Sequence, residues 1–156
     1  GVTRIGDDNL FMAYAHVAND CVVGSHTVFA NSATLGGHVH IDDWVILGGF
    51  TAIHQFCHIG AHVMTAGGSM IPKDVPPYMK VAGVFAEAHG INSAGLKRRG
   101  FSTDAIAGIK RAYKTVYRSG LTLEEAKQAL QEQVAECPEV APLLAFFADA
   151  ARGILR

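Results

Sequence analysis

Positive charge is missing from a long part of this chain. No lysine or arginine lies between Arg4 and Lys73, and 11 of the 13 follow Pro77. Over 156 residues the net charge is −1, so nucleic-acid binding is not expected. Long apolar runs are also lacking. None approaches the length of a membrane span, and the first residues do not read as a leader peptide. Cysteine is scarce: Cys21, Cys57 and Cys137. Free thiols in small number suit a cytoplasmic protein, and that location is expected. Hydrophobic content of 49% describes a globular chain with enough apolar material for one ordinary domain or two small ones.

What is present over residues 5–76 is a register of six: IGDDNL, FMAYAH, VANDCV, VGSHTV, FANSAT, LGGHVH, IDDWVI, LGGFTA, IHQFCH, IGAHVM, TAGGSM, IPKDVP. The first position is almost always aliphatic or Phe, the second is often small, and the fifth is small or short. A period of six is neither helical nor simple alternation; it marks a hexapeptide-repeat parallel β-helix. Three hexads make one triangular coil of eighteen residues, with first and fifth positions pointing inward. Twelve hexads predict four coils, a prism about 19 Å long at the strand spacing. Solenoids of this repeat type are left-handed, against the usual crossover rule; handedness comes with the repeat type and not with the period. Gly1 enters the repeat almost at once, so a cap and earlier coils are expected to lie outside this chain. Cys21 and Cys57 share the fifth position two coils apart, about 9.6 Å at that spacing, too far for a disulfide. Small buried residues are expected there.

Lys73-Asp74-Val75-Pro76-Pro77 ends the repeat, because proline cannot donate to a ladder. Residues 78–90 read as an irregular connector. From residue 91 the period becomes helical. Residues 95–100 form a short basic helical segment. Ser102 caps a helix over 103–118, closed by Gly120, with Ile106, Ile109, Ala112, Val116 and Tyr117 on one face. Thr122 and Glu125 form a capping box for a helix over 124–136. Pro138 ends it, and residues 138–155 make a last helix. The expected organisation is a β-helix over 1–77, a connector over 78–90 and a helical domain over 91–156.

Stacking the register at eighteen residues brings side chains together. Asn19, Gly37 and Gln55 share a column, with His16, His38 and His54 beside it. His40 stacks on His58. His26 and His62 lie two coils apart with Trp44 between them. Corner histidines are ordinarily just exposed polar residues, but several imidazoles converging on one edge suit general-base chemistry near neutral pH. A second column is Asn31, Gly49, Gly67. The pairs Gly48-Gly49 and Gly67-Gly68 have two readings, which stay open here: corners that need positive φ, or a wall without side chains that admits an apolar chain.

The segments DNLFMAYAHVANDC, ATLGGHVHIDDW, AIHQFCHIGAHVM and NSAGLKRRGFS together resemble the UDP-N-acetylglucosamine O-acyltransferase family of lipid A synthesis, and the resemblance extends over essentially the whole chain. It implies a homotrimer of left-handed β-helices with sites between subunits. It implies transfer of an (R)-3-hydroxyacyl chain from acyl carrier protein to the 3-hydroxyl of UDP-N-acetylglucosamine, without cofactor or metal. By the same resemblance His16, His38, His54 and Gln55 contact substrate, and the Gly37 N–H stabilises the oxyanion. Gly67 matches the position that gauges acyl length. Asn92, Arg98 and Arg99 engage the nucleotide or its phosphates. The basic helical part would suit an acidic carrier protein.

The chain departs from the family motif AH-x-A/G-H-D at its general base, where Asn19 stands. A carboxamide has no usable basicity. Ala94 stands where many members have Glu, and Val84 where Asn is usual. Three readings of Asn19 are open: an introduced knockout, a natural homologue with weakened activity, or a site in which His16 serves as base. Two other function classes remain: a protein that binds nucleotide sugar or carrier protein without turnover, and a zinc enzyme of the γ-carbonic anhydrase kind with three histidines between subunits. The GLKRRGF segment argues against the zinc enzyme.

Overall fold

The computed structural model describes residues 1–150 and 153–156. Twelve two-residue strands, from Arg4–Ile5 to Met70–Ile71, recur every six residues. They form three parallel ladders, and every pair within these ladders is offset by eighteen residues, as in Val22↔His40 and Ile46↔Met64. The inward positions explain the period. First-position residues from Val23 to Ile71 and fifth-position residues from Cys21 to Val75 are all buried. Phe29, Leu35, Ile41, Leu47, Ile59 and Ile71 are the large fillers of the prism. Thr51 and Thr65 are satisfied inside it by a mutual hydroxyl contact of 2.8 Å. The three cysteines are free and buried.

Each corner is a tight turn whose fourth hexad residue takes positive φ. Ten consecutive corners, from Asp8 (57°) to His62 (64°), do this with a residue other than glycine. A type II turn normally asks for glycine there. In this chain rings stack from coil to coil instead: His26 on Trp44 at 4.2 Å and His38 on Phe56 at 4.7 Å between ring centroids.

The last coil is short by two residues. Ile59 bridges Val75, and Met64 pairs Lys80, both offset by sixteen. The connector expected to be irregular is a β-hairpin: Met79–Gly83 joins Met64–Thr65 in parallel and pairs antiparallel with Ala86–Ile91. The buried alternation Met79, Val81 is too short to announce a strand alone; the free edge of the preceding coil supplies the partner.

Among the described residues four α-helices follow: α1 (Ser93–Arg98), α2 (Thr103–Tyr117), α3 (Leu123–Glu136) and α4 (Ala141–Asp149). The Ser102 hydroxyl accepts from the Ala105 N–H at 3.0 Å, and the Thr122–Glu125 capping box is present. The buried stripe of α2 is Ala105, Gly108, Ile109, Ala112, Tyr113 and Val116; Ile106 and Tyr117 of the expected face are only partly buried. The last helix is shorter than expected. A 3-10 turn over Pro138–Val140 leads into α4, residues 151–152 lie outside the described residues, and Gly153 has φ of 76°. Beyond it Ile154 bridges Asp74, and the Leu155 N–H donates to the Asp74 carbonyl at 2.7 Å. The Tyr78 hydroxyl donates to the Glu139 carbonyl at 2.7 Å. The helical part is thus tied to the end of the solenoid at both places. Among the described residues no helix is long and apolar enough to cross a membrane.

Candidate functional site

The eighteen-residue ladder builds one corner of the prism from three successive coils. The His38 N–H donates to the Asn19 carbonyl and the Phe56 N–H to the Gly37 carbonyl, each at 3.0 Å. Asn19, Gly37 and Gln55 therefore follow one another along a column. Asn19 Nδ2 donates to Asp20 Oδ2 at 2.9 Å. Its Oδ1 faces Gly37, where an added Cβ would stand 3.0 Å away. The Nε2 of His38 lies 3.8 Å from the same Asp20 oxygen, and its ring rests on Phe56. His54 Nδ1 is 3.1 Å from the Gln55 carbonyl; a carbonyl only accepts, so Nδ1 is the donor in this contact. His16 lies on the flat face three residues before Asn19, level with Thr34 and, a coil later, Ala52. His16, Asn19, His38, His54 and Gln55 are all exposed.

Asp20 was not singled out by sequence reasoning. Its signal was available: it is eighteen residues before His38, so it stacks beneath that imidazole. Chemically the corner holds a carboxylate, an amide bound to it, two exposed imidazoles and a glycine with no side chain to obstruct approach.

The two glycine pairs divide by role. At Gly48 a Cβ would meet Gly67 N and Thr65 O at 2.7 Å, so the next coil excludes any side chain. Gly68 carries φ of 72°. These two serve the backbone. At Gly67 a Cβ would meet only the Gly49 carbonyl at 3.4 Å, an ordinary contact. Gly67 is exposed, and no contact within the fold demands a glycine there.

On another corner Arg99, His62, Trp44 and Asn92 form one assembly. Arg99 Nη1 donates to His62 Nδ1 at 3.0 Å, and its guanidinium lies 5.2 Å from the Trp44 ring centre. Burial, and secondarily Arg99, lower the His62 pKa to about 4, with Asp43 opposing. Asn92 is buried; its Nδ2 donates to the His62 carbonyl at 3.0 Å and its Oδ1 caps α1 by accepting from the Gly95 N–H at 3.2 Å. Its side-chain bonds thus lie within the fold. Arg98 is exposed beside a cavity of about 340 Å³ that Lys80, Met64, Asn92 and Ala94 also line. The structure therefore places Asn92, Arg98 and Arg99 in one region, away from the Asn19 corner in sequence and on the coil-end side of the prism.

A parallel solenoid of six-residue repeats, three to a coil, with histidines along its corners defines a hexapeptide-repeat protein. Residues 3–37 match the family model described as bacterial transferase hexapeptide (six repeats). Residues 74–155, just over half of the chain, match the model of UDP-N-acetylglucosamine O-acyltransferase, domain 2, and the chain belongs to that family. It is 56% identical over 156 residues to the acyl-[acyl-carrier-protein]–UDP-N-acetylglucosamine O-acyltransferase of Thiobacillus denitrificans, covering all of this chain and 60% of that protein. The protein of the same name from a Janthinobacterium species is also 56% identical, with 61% of its length covered. The solved UDP-N-acetylglucosamine O-acyltransferase of Moraxella catarrhalis superposes with a TM-score of 0.98 at 43% identity, over all of this chain and 61% of that one. The Acinetobacter baumannii structure gives 0.95 at 44%, over 97% and 59%. The chain thus spans about three fifths of the length of these relatives.

Proposed function

We propose that the protein transfers an (R)-3-hydroxyacyl chain from acyl carrier protein to the 3-hydroxyl of UDP-N-acetylglucosamine, the first step of lipid A synthesis, with turnover slowed at Asn19. The observation that carries this reading is identity of 56% along the whole chain to proteins bearing that activity in their name. In the reaction the sugar hydroxyl oxygen attacks the thioester carbonyl, the C–S bond breaks, and the hydroxyl proton ends on the departing thiol. Gly37 offers its N–H to the oxyanion, which builds up beside a glycine whose missing side chain leaves room. His38, His54 and Gln55 at the corner, with His16 on the adjoining face, position the acceptor and the acyl ester. Arg98 and Arg99, from α1 and its C-terminal end, face the nucleotide and its phosphates, while Asn92 holds α1 in place for them. Gly67 leaves the acyl groove unobstructed. Complete sites form between subunits of a homotrimer, and the reaction takes place in the cytoplasm.

Asn19 decides the rate. Its amide donates to Asp20 and cannot accept the hydroxyl proton in turn. Losing a general base lowers the rate by about 10²- to 10⁴-fold. The test is Asn19→His, assayed for acyl transfer to UDP-N-acetylglucosamine. A gain of that order supports the reading; no gain means that the base is elsewhere or that the scaffold does not catalyse. The bond from Asn19 to Asp20 also favours a second reading, binding of the nucleotide sugar without turnover. Calorimetric binding with no product before or after the reversion selects it.

A further inference from the structure

We propose that His40, Asp42 and His58 form a site for a divalent transition-metal ion of the zinc class, built into one chain and separate from the Asn19 corner. His40 and His58 are direct partners in neighbouring coils. Their rings stack at 4.5 Å between centroids, 19° from parallel. Both Nε2 atoms point at one carboxylate oxygen, Asp42 Oδ1, at 3.3 Å from His40 and 2.9 Å from His58. The three donor atoms lie within 4.8 Å of one another.

Those separations suit ligands on a shared ion. Two atoms each about 2.0–2.1 Å from zinc stand about 3.3 Å apart at a tetrahedral angle. Both carboxylate–imidazole distances are close to that value, so binding requires chiefly that the two Nε2 atoms draw together. Two imidazoles and a carboxylate favour Zn²⁺, Co²⁺ or Ni²⁺ over Ca²⁺ or Mg²⁺, which prefer all-oxygen shells. His40 is exposed, while Asp42 and His58 are half-buried, so the site is reachable from solvent and water can complete the shell.

The surroundings hold the ligands in place. The His58 N–H donates to Asp74 Oδ1 at 2.8 Å, and its ring packs on Phe146 of α4 at 4.7 Å. Asp74 is also the residue whose carbonyl receives the Leu155 N–H. An ion here would pin two coils together at the place where the helical part docks. Its effect would be stabilisation of the folded chain by linkage, independent of the acyl-transfer site.

The experiment uses the whole chain after dialysis against chelator, titrated with Zn²⁺ by calorimetry and with Co²⁺ by visible absorption. The expected result is one equivalent bound, with a ligand-field band for Co²⁺ and a thermal midpoint raised by Zn²⁺. His40→Ala and Asp42→Asn, both outside the packed core, should weaken binding by about tenfold or more and abolish the shift in midpoint. His89→Ala, on the exposed hairpin, should change nothing. Circular dichroism shows whether each variant is folded, and His40→Gln replaces any that is not. Absence of binding to the unaltered chain overturns the proposal. Binding that survives both His40→Ala and Asp42→Asn also overturns it, since the ion would then sit on other histidines.

Discussion

Acid should destabilise this protein through His62. The ring sits between Trp44 and Tyr78, with centroids at 6.4 and 5.8 Å, and meets the edge of Phe101 at 5.1 Å. Its Nδ1 accepts from Arg99, so a proton there would break that bond and set two cations side by side. Burial and Arg99 lower its pKa from 6.5 to about 4. Above pH 6.5 the ring is neutral in folded and unfolded chains, and it adds no pH dependence. As pH falls from 6.5 towards 4 the unfolded chain takes up the proton and the folded chain does not, so stability falls; below about 4 both are protonated and the loss levels off. At about 1.4 kcal/mol per pH unit the full interval is worth at most about 3–4 kcal/mol. Part of the ring remains in water, which screens the Arg99 charge, so about 1–2 kcal/mol is expected. The assay is urea unfolding across pH 7.5 to 3.5 for the unaltered chain and for His62→Gln, whose amide oxygen can still accept from Arg99. The difference in unfolding free energy between the two should be flat above 6.5 and slope below it. A difference that stays constant down to pH 4 would refute the placement of His62 as a neutral acceptor.

Gly48→Ala should destabilise by about 1–3 kcal/mol, because its Cβ would press on the backbone of the next coil with no room to relax; thermal unfolding reads it. Gly67→Met should leave the unfolding midpoint nearly unchanged, since that position is open, and should shift acyl preference to shorter chains in an assay with carrier proteins of graded chain length. Ile41→Ala, in the middle of the prism and fully buried, should cost about 2–5 kcal/mol by urea unfolding without moving the pH profile of His62.

The repeat was the most legible part of the fold. A residue that points into a prism must be small or aliphatic whatever lies around it, so Val23, Phe29, Leu35 and Ile41 announce themselves at a fixed interval, and the column of Asn19, Gly37 and Gln55 follows by addition. The capping box at Thr122 and Glu125 was legible for a similar reason, since its partners are three residues apart. The hairpin over 79–91 was not, because its first strand exists only where a coil offers a free edge. Nor were the corners: His26, Trp44 and Phe56 are not turn formers, and they hold positive φ in columns where rings stack between coils. Asp20 was passed over because its importance lies in contacts with Asn19 and His38, not in its type.

The amino-acid sequence by itself determined the coil, its eighteen-residue pitch and the amide at position 19, because these depend on side-chain size and chemistry at each inward or corner position. Only the tertiary structure decided which way side chains turn once stacked. It showed Asn19 donating to Asp20, Asn92 held within the fold as a cap, Gly67 open while Gly48 is closed, and His40 and His58 aimed at one oxygen of Asp42. These are matters of direction and distance between side chains, and they are fixed only after the coils have closed on one another.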